Sequence, residues 1–320
     1  MTKIVWRFLI VTVIVFLVSE ITVGQSSRHV SGTKVPPPGE MVDIGGYRIH
    51  LNIRGNNQGP TIVIEAGGGS WSLLWQDVQE ELSKHAKVVI YDRAGYGWSD
   101  PSPWPRTFEQ IAMELNTALD SAGVKPPYVL LGHSYGGYIV RSFLKQFPER
   151  VDKIILAESA YENQFEKLPA ILGMLVQKSN QSNKQKAKEI RLGNLKMEDM
   201  AIDSTLSKKD WEAYQYCRSR ASFYEAMYNE LYLMPFAYEQ SIIENPVQKP
   251  LLVITAGNSF QAFAGVPQIP IKERNKIWMD LQNKLLDIST NSRQVILENA
   301  THNLKESAKQ EFVNEILSFF

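Results

Sequence analysis

Residues 130–137 read LLGHSYGG, a serine with a glycine two positions before it and another two positions after it. Gly132 and Gly136 remove the Cβ atoms where a tight strand-to-helix turn is most crowded. Such a turn strains the backbone of Ser134 and lifts its hydroxyl out beyond the end of a sheet. The pattern Gly132-His133-Ser134-Tyr135-Gly136 is G-x-S-x-G, which places a nucleophile at a sharp elbow. Glycine-rich turns that carry a serine by chance are common, so the remaining parts of the chemistry must be found elsewhere. A serine hydroxyl attacks poorly at neutral pH unless a base, a group orienting that base and donors for the developing oxyanion stand nearby.

The base expected from the order Ser…acid…His is a histidine late in the chain, between the last strand and the last helix. His302 in LENATHNLKES stands there, just past RQVILEN. Oxyanion donors require bare backbone, and EAGGGS (65–70) supplies it through Gly67, Gly68 and Gly69. The amides of Gly68 and Tyr135 are the expected pair. The acid is less direct. The stretch PLLVITAG is followed by Asn258, Ser259 and Phe260, and an asparagine amide cannot stabilise an imidazolium by charge. One strand earlier, KIILAES ends on Glu158, which is the expected partner of His302; Asp280 and Asp287 are the fallback acids.

These residues need a scaffold. MVDIGGYRIHLNIRG (41–55) reads as a hairpin around Gly45-Gly46, followed by apolar strands at TIVIEA (61–66), KVVIYD (87–92), YVLLG (128–132), KIILAE (153–158), PLLVITAG (250–257) and RQVILEN (293–299). Helical patterns alternate with them at 71–84, 107–122, 135–147, 271–284 and 305–319, the second opened by a Thr107/Gln110 capping box. Continuous apolar strands alternating with helices predict a mostly parallel sheet covered on both faces. Ligand sites in such sheets gather beyond the carboxyl ends of the strands, where Ser134 falls. Residues 160–248 interrupt the alternation with helical, aromatic-rich sequence in which Tyr224, Met227, Tyr228 and Leu231 recur at helical spacing. That face is core packing, the roof of a pocket, or both; the basic run at 178–191 reads as a solvated face. The expected organisation is therefore a leader at 1–24, a proline-stiffened linker at 25–39, a core formed by 40–159 and 249–320, and a helical cap at 160–248.

The totals narrow the function classes. The chain has 320 residues, with 34 basic and 34 acidic side chains, which gives no electrostatic basis for binding nucleic acid. Cys217 is the sole cysteine and the five histidines are scattered, so neither a disulfide nor a metal site is expected, and no cofactor. Lys3 and Arg7 precede the apolar run FLIVTVIVFLV (8–18), the pattern of a secretory signal peptide or an uncleaved membrane anchor. Export, with the folded domain outside the cytoplasm, is the expectation.

The segments PPPGEMVDIGGYRIHL, EAGGGS, YDRAGYGWSD and GHSYGG, in that order, resemble the α/β-hydrolase fold superfamily over roughly residues 40–320, and within it bacterial exported or membrane-anchored serine hydrolases. The resemblance implies an α/β fold with an eight-stranded, mostly parallel sheet, flanking helices and an inserted helical cap. It also implies an acid at the end of IILAES, in keeping with Glu158, although relatives more often carry Asp there. Ala66 stands where relatives have the His of a His-Gly oxyanion motif, but a backbone oxyanion hole does not need that side chain. Asp92 and Arg93 read as structural, with Arg93 paired to Glu65. The expected function is a cofactor-independent serine hydrolase acting on a small-molecule ester or, less favoured, an amide. The alternatives are a proline-iminopeptidase-like enzyme, which needs an acidic cap pocket that Glu212, Glu225 and Glu230 could form, and a non-catalytic binding member of the fold.

Overall fold

The computed structural model describes residues 35–56, 59–194, 207–261 and 271–320. The leader at 1–24 and most of the linker lie outside the described residues. Among the described residues no helix is long and apolar enough to cross a membrane.

Eight strands form one sheet: β1 (Glu40–Asp43), β2 (Arg48–Arg54), β3 (Thr61–Glu65), β4 (Lys87–Tyr91), β5 (Tyr128–His133), β6 (Val151–Ala157), β7 (Leu251–Ala256) and β8 (Ser292–Leu297). Their spatial order is β1-β2-β4-β3-β5-β6-β7-β8. The first two strands run antiparallel as a hairpin turned on Gly45 and Gly46, both at φ above +100°, a conformation that glycine adopts without penalty. From β4 to β8 every pairing is parallel. The middle strands are Val- and Ile-rich and fully buried because helices cover both faces, as the apolar runs demand. One apolar layer sits around Leu130, Tyr138 and Leu156; the other, on the opposite face, is built on Leu131, Ile155 and Phe312.

The flanking helices are α1 (Gln76–Ser83), α2 (Phe108–Ser121) and α3 (Gly136–Gln146). Between β6 and β7 come α4 (Ala170–Arg191), α5 (Lys208–Arg218) and α6 (Ala221–Ala237), and the chain ends with α7 (Ile271–Lys284) and α8 (Lys309–Leu317). Thr107 Oγ1 accepts from the Gln110 backbone N–H at 3.3 Å, but the Gln110 amide reaches forward to Glu114 rather than back, so only half of the expected capping box forms. The helix expected over 305–319 is also divided. A single turn, Leu304–Ser307, is separated from α8 at Ala308, whose φ of −150° is not helical. The break lets the Ser307 hydroxyl accept from the Thr301 N–H at 2.9 Å and so steady the loop that carries His302.

Among the described residues, the segment between β6 and β7 packs on the sheet domain at three apolar places, one of them Met234 and Ala237 against Tyr135 and Tyr138. Tyr214, Phe223, Tyr224 and Met227 pack on Trp71, Tyr96 and Trp98. Separately, Leu168, Leu172 and Leu175 pack on Phe260, Trp278 and Leu281. Most of the aromatic face singled out in the sequence is thus core rather than pocket. Of its four marker residues only Leu231 faces the cavity described below.

Candidate active site

The elbow after β5 is built by exclusion. Ser134 sits at φ +52°, a left-handed conformation that costs a non-glycine residue about 1–3 kcal/mol and persists only where its surroundings impose it. Its N–H donates to the Ala157 carbonyl at 3.2 Å, and its carbonyl accepts from Gly137 and Ala160 at 3.0 and 2.9 Å. A Cβ on Gly136 would lie 2.2 Å from the Glu65 carbonyl oxygen, and one on Gly132 2.9 Å from the Gly136 oxygen. Gly137, which the G-x-S-x-G pattern does not include, is as constrained: its Cβ would stand 1.8 Å from the Ser159 hydroxyl.

Two strand ends and one loop bring the side chains together. Glu158 follows β6, also in left-handed backbone at φ +48°. His302 stands on the loop after β8. His302 Nε2 is 3.0 Å from Ser134 Oγ, and His302 Nδ1 is 2.9 Å from Glu158 Oε2. The Glu158 side chain is fully buried, yet its oxygens are well supplied with donors. Oε1 accepts from the Ala256 N–H at 2.7 Å, and Oε2 accepts from Trp278 Nε1 at 3.0 Å as well as from the imidazole. Asn258, by contrast, donates to the Glu298 carbonyl, and Asp280 pairs with Lys276 on the surface.

Two residues of this assembly carried no signal in the sequence. Trp278, from α7, feeds Glu158 and lies with its ring 5.9 Å from the His302 ring. His133 holds the other side of the loop: its Nε2 is 3.0 Å from the His302 carbonyl oxygen. A carbonyl only accepts, so His133 Nε2 carries the proton. Burial, reinforced by the neighbouring His302, pushes His133 down to about 3, so it is neutral at physiological pH. The pattern leaves its second position free, and only the tertiary contact distinguishes this histidine.

On the far side of Ser134 lies the glycine loop after β3. Gly68 and Tyr135 line the same cavity as Ser134, and a Cβ on Gly68 would touch Tyr135 Cβ at 3.7 Å, so the two backbones face one another. The loop is gripped from behind by Arg93, which donates to the Ala66 and Gly67 carbonyls at 2.7 and 2.9 Å. Arg93 also pairs with Glu65 at 2.7 Å, as expected, and with Glu230 of α6 at 2.9 Å, which was not. Tyr91 and Tyr96 donate their hydroxyls to Glu65 and Glu230 respectively. Burial pushes Glu65 up to about 7 against the pull of Arg93, as befits two carboxylates sharing one guanidinium in a dry site. Asp92 organises the next turn, accepting from His50 Nδ1 at 2.8 Å and from the Ser72 and Trp98 N–H groups.

The acidic cap pocket weighed above does not form around the cavity. Glu230 is held by Arg93, Glu225 pairs with Arg191 on the surface, and neither they nor Glu212 line the cavity. The cavity itself measures about 140 Å³ and is walled chiefly by aliphatic and aromatic side chains from α4, α6 and α7, with Ser134 and His302 in its floor.

Against known proteins, the family described as alpha/beta hydrolase fold matches residues 60–317, and the chain belongs to that family. An AB hydrolase superfamily protein of Gibberella zeae is 28% identical over 222 residues, covering 68% of this chain and 60% of the relative. The YqjL protein of Bacillus subtilis is 41% identical over 96 residues, 30% of this chain and 38% of its own length. The chain thus spans less than two thirds of the curated relatives it matches. Among solved structures, the esterase EaEST of Exiguobacterium antarcticum superposes with a TM-score of 0.63 at 14% identity, over 88% of this chain and 98% of its own. At that identity the likeness is one of fold.

Proposed function

We propose that the protein is a cofactor-independent serine hydrolase that cleaves a carboxylic ester of a small molecule through an acyl-enzyme on Ser134. The observation that carries this reading is the unbroken hydrogen-bonded chain from buried Glu158 through His302 to a serine hydroxyl that opens into an apolar cavity. Ser134 Oγ attacks the carbonyl carbon as its proton passes to His302 Nε2, and the C=O electron pair moves to the oxygen. The amides of Gly68 and Tyr135 stabilise that oxyanion. Collapse breaks the bond to the alcohol oxygen, which takes the proton from His302 and leaves. Water then gives a proton to His302, attacks the acyl-enzyme and releases the acid, and Ser134 recovers its proton. Glu158 holds the tautomer with Nε2 free to accept and stabilises the imidazolium formed in each half.

Ester cleavage is favoured over the aminopeptidase reading because the carboxylates that could recognise a free amine are engaged elsewhere. A binding module, for its part, has no need of the strained elbow and its aligned imidazole. A fluorophosphonate probe should label Ser134, and Ser134→Ala should lower turnover of p-nitrophenyl butyrate by on the order of 10⁴-fold or more with the fold retained. A near wild-type rate in that variant overturns the assignment. The reading includes export by the segment at 1–24. Fractionation of cells producing the full chain tests this, and intact soluble protein in the cytosol counts against it.

A further inference from the structure

The walls of the cavity restrict what the serine can be offered. From these walls we infer the substrate class: an uncharged ester with one apolar group of about six carbons beside the carboxyl, a size set by comparison with an engineered apolar cavity of about 150 Å³ that stays dry and accepts benzene. The inference rests on the serine-hydrolase reading above and specifies its substrate.

The cavity offers about 140 Å³. Lining chemistry points the same way. Along α4, Leu172, Leu175 and Val176 face inward at helical spacing, opposed by Leu231 and Met234 of α6 and closed at one end by Phe260 and Trp278. Burying a methylene on such a wall is worth about 0.8 kcal/mol, roughly fourfold in a binding or rate constant. The two aliphatic helices therefore reward chain length until the space is full.

Charge is excluded from both directions. No Asp, Glu, Lys or Arg lines the cavity among the described residues. Several buried charges near it are already committed. Arg93 is shared by Glu65 and Glu230, Arg141 lies 2.6 Å from Glu162, and Glu158 serves His302, Trp278 and the Ala256 amide. A carboxylate or ammonium at the end of the substrate would lose its water and find no partner, a penalty that far exceeds what the added methylenes return. Two polar lining residues away from the floor are already engaged. The Gln164 side-chain oxygen accepts from the Tyr161 N–H, and the Tyr138 hydroxyl donates to the Tyr161 carbonyl. The half-buried Ser179, one turn beyond Val176, is where the aliphatic wall ends.

The test uses the full chain and two ester series followed by acid release. Ethyl esters run from acetate through butyrate, hexanoate and decanoate to hexadecanoate, and alkyl acetates from ethyl to decyl. Expected is a kcat/KM that climbs at least threefold per methylene in one series up to about six carbons and falls beyond it. Monoethyl adipate and ethyl 6-aminohexanoate, which put a charge at the far end, should fall at least a hundredfold below ethyl hexanoate. Leu172→Trp should cut the ratio of six-carbon to two-carbon kcat/KM at least tenfold. Met234→Phe, on the opposite wall, reads the same ratio should the first variant not fold. A flat length profile, an optimum at ten carbons or more, a preference for either charged ester, or unchanged ratios in folded variants overturns the proposal. If Ser134 is labelled by a fluorophosphonate and no ester in either series is cleaved, the substrate class falls and the nucleophile stands. Absence of both labelling and turnover overturns the two together.

Discussion

Two buried polar constellations flank the glycine loop of this protein, and they are made of nearly the same chemistry. Around Arg93, two glutamates and two backbone carbonyls satisfy one guanidinium, whose side chain is 2% exposed, and two tyrosines donate to the glutamates. Around His302, one glutamate and one hydroxyl satisfy one imidazole, an indole donates to the glutamate, and exposure rises from 0% at Glu158 to 16% at His302. The first is closed at every end and centred on a group that never yields its proton. The second is open at one end and centred on a group that can take a proton and return it. The contrast teaches that composition does not separate a brace from a reactive site. What separates them is whether the middle group can exchange a proton and whether the last hydroxyl faces a cavity.

Substitutions can break that contrast. In the open constellation, Glu158→Gln keeps shape but removes the charge that supports the imidazolium, and kcat on p-nitrophenyl butyrate should fall by about 10³–10⁴-fold. An unchanged kcat would make Glu158 another brace. In the closed one, Arg93→Met leaves two buried carboxylates uncompensated. Urea unfolding should show a loss of about 3–5 kcal/mol, since breaking a buried pair costs more than the pair contributes. A loss below about 1 kcal/mol, the scale of an exposed pair, would mean that water reaches it.

Smaller changes sharpen the boundary between the two. Trp278→Phe keeps the ring against His302 but removes one donor to Glu158, and activity should drop roughly tenfold, the scale of a hydrogen bond to a charged group. No change would show that the Ala256 amide suffices. A pH dependence comes last. His133 is held to about 3 in the folded chain, whereas an unfolded histidine titrates near 6.5. Between those values the unfolded state binds a proton that the folded state refuses, so stability falls as pH falls. The slope from this group approaches about 1.4 kcal/mol per pH unit within the window and vanishes above it. Chemical unfolding of the wild type and of His133→Gln from pH 7 to pH 4 measures the difference, and parallel curves would mean that His133 is charged in the fold.

Much of the scaffold was legible because its signals are local. Apolar runs of five to seven residues, bounded by turns, correspond to the strands β3 to β8. Gly45-Gly46 marks a hairpin because its backbone needs positive φ, and Gly132 and Gly136 mark an elbow because a side chain there would strike backbone. The order of Ser134, Glu158 and His302 along the chain follows from the strands that precede them. The sequence was less informative where a residue answers to a distant one. The last helix breaks at Ala308, where the Ser307 hydroxyl accepts from Thr301. The aromatic residues of α6 are spent on Trp71 and Tyr96, so that helix gives the cavity only Leu231 and Met234, and α4 supplies the longer wall.

By itself, then, the sequence determined the parallel sheet, the place of the elbow and the residue types near it, because these depend on steric limits and hydrophobic periodicity within a few positions. The sequence put Glu158 ahead of Asp280 and Asp287 as the partner of His302, but the contact itself belongs to the tertiary structure. Glu158 and His302 are 144 positions apart and Glu158 and Trp278 are 120 apart, distances over which no local pattern can operate. The tertiary structure also decided that Glu230 braces Arg93 instead of facing a substrate, because a charge goes where a partner can offset its desolvation, and only the folded packing supplies that partner.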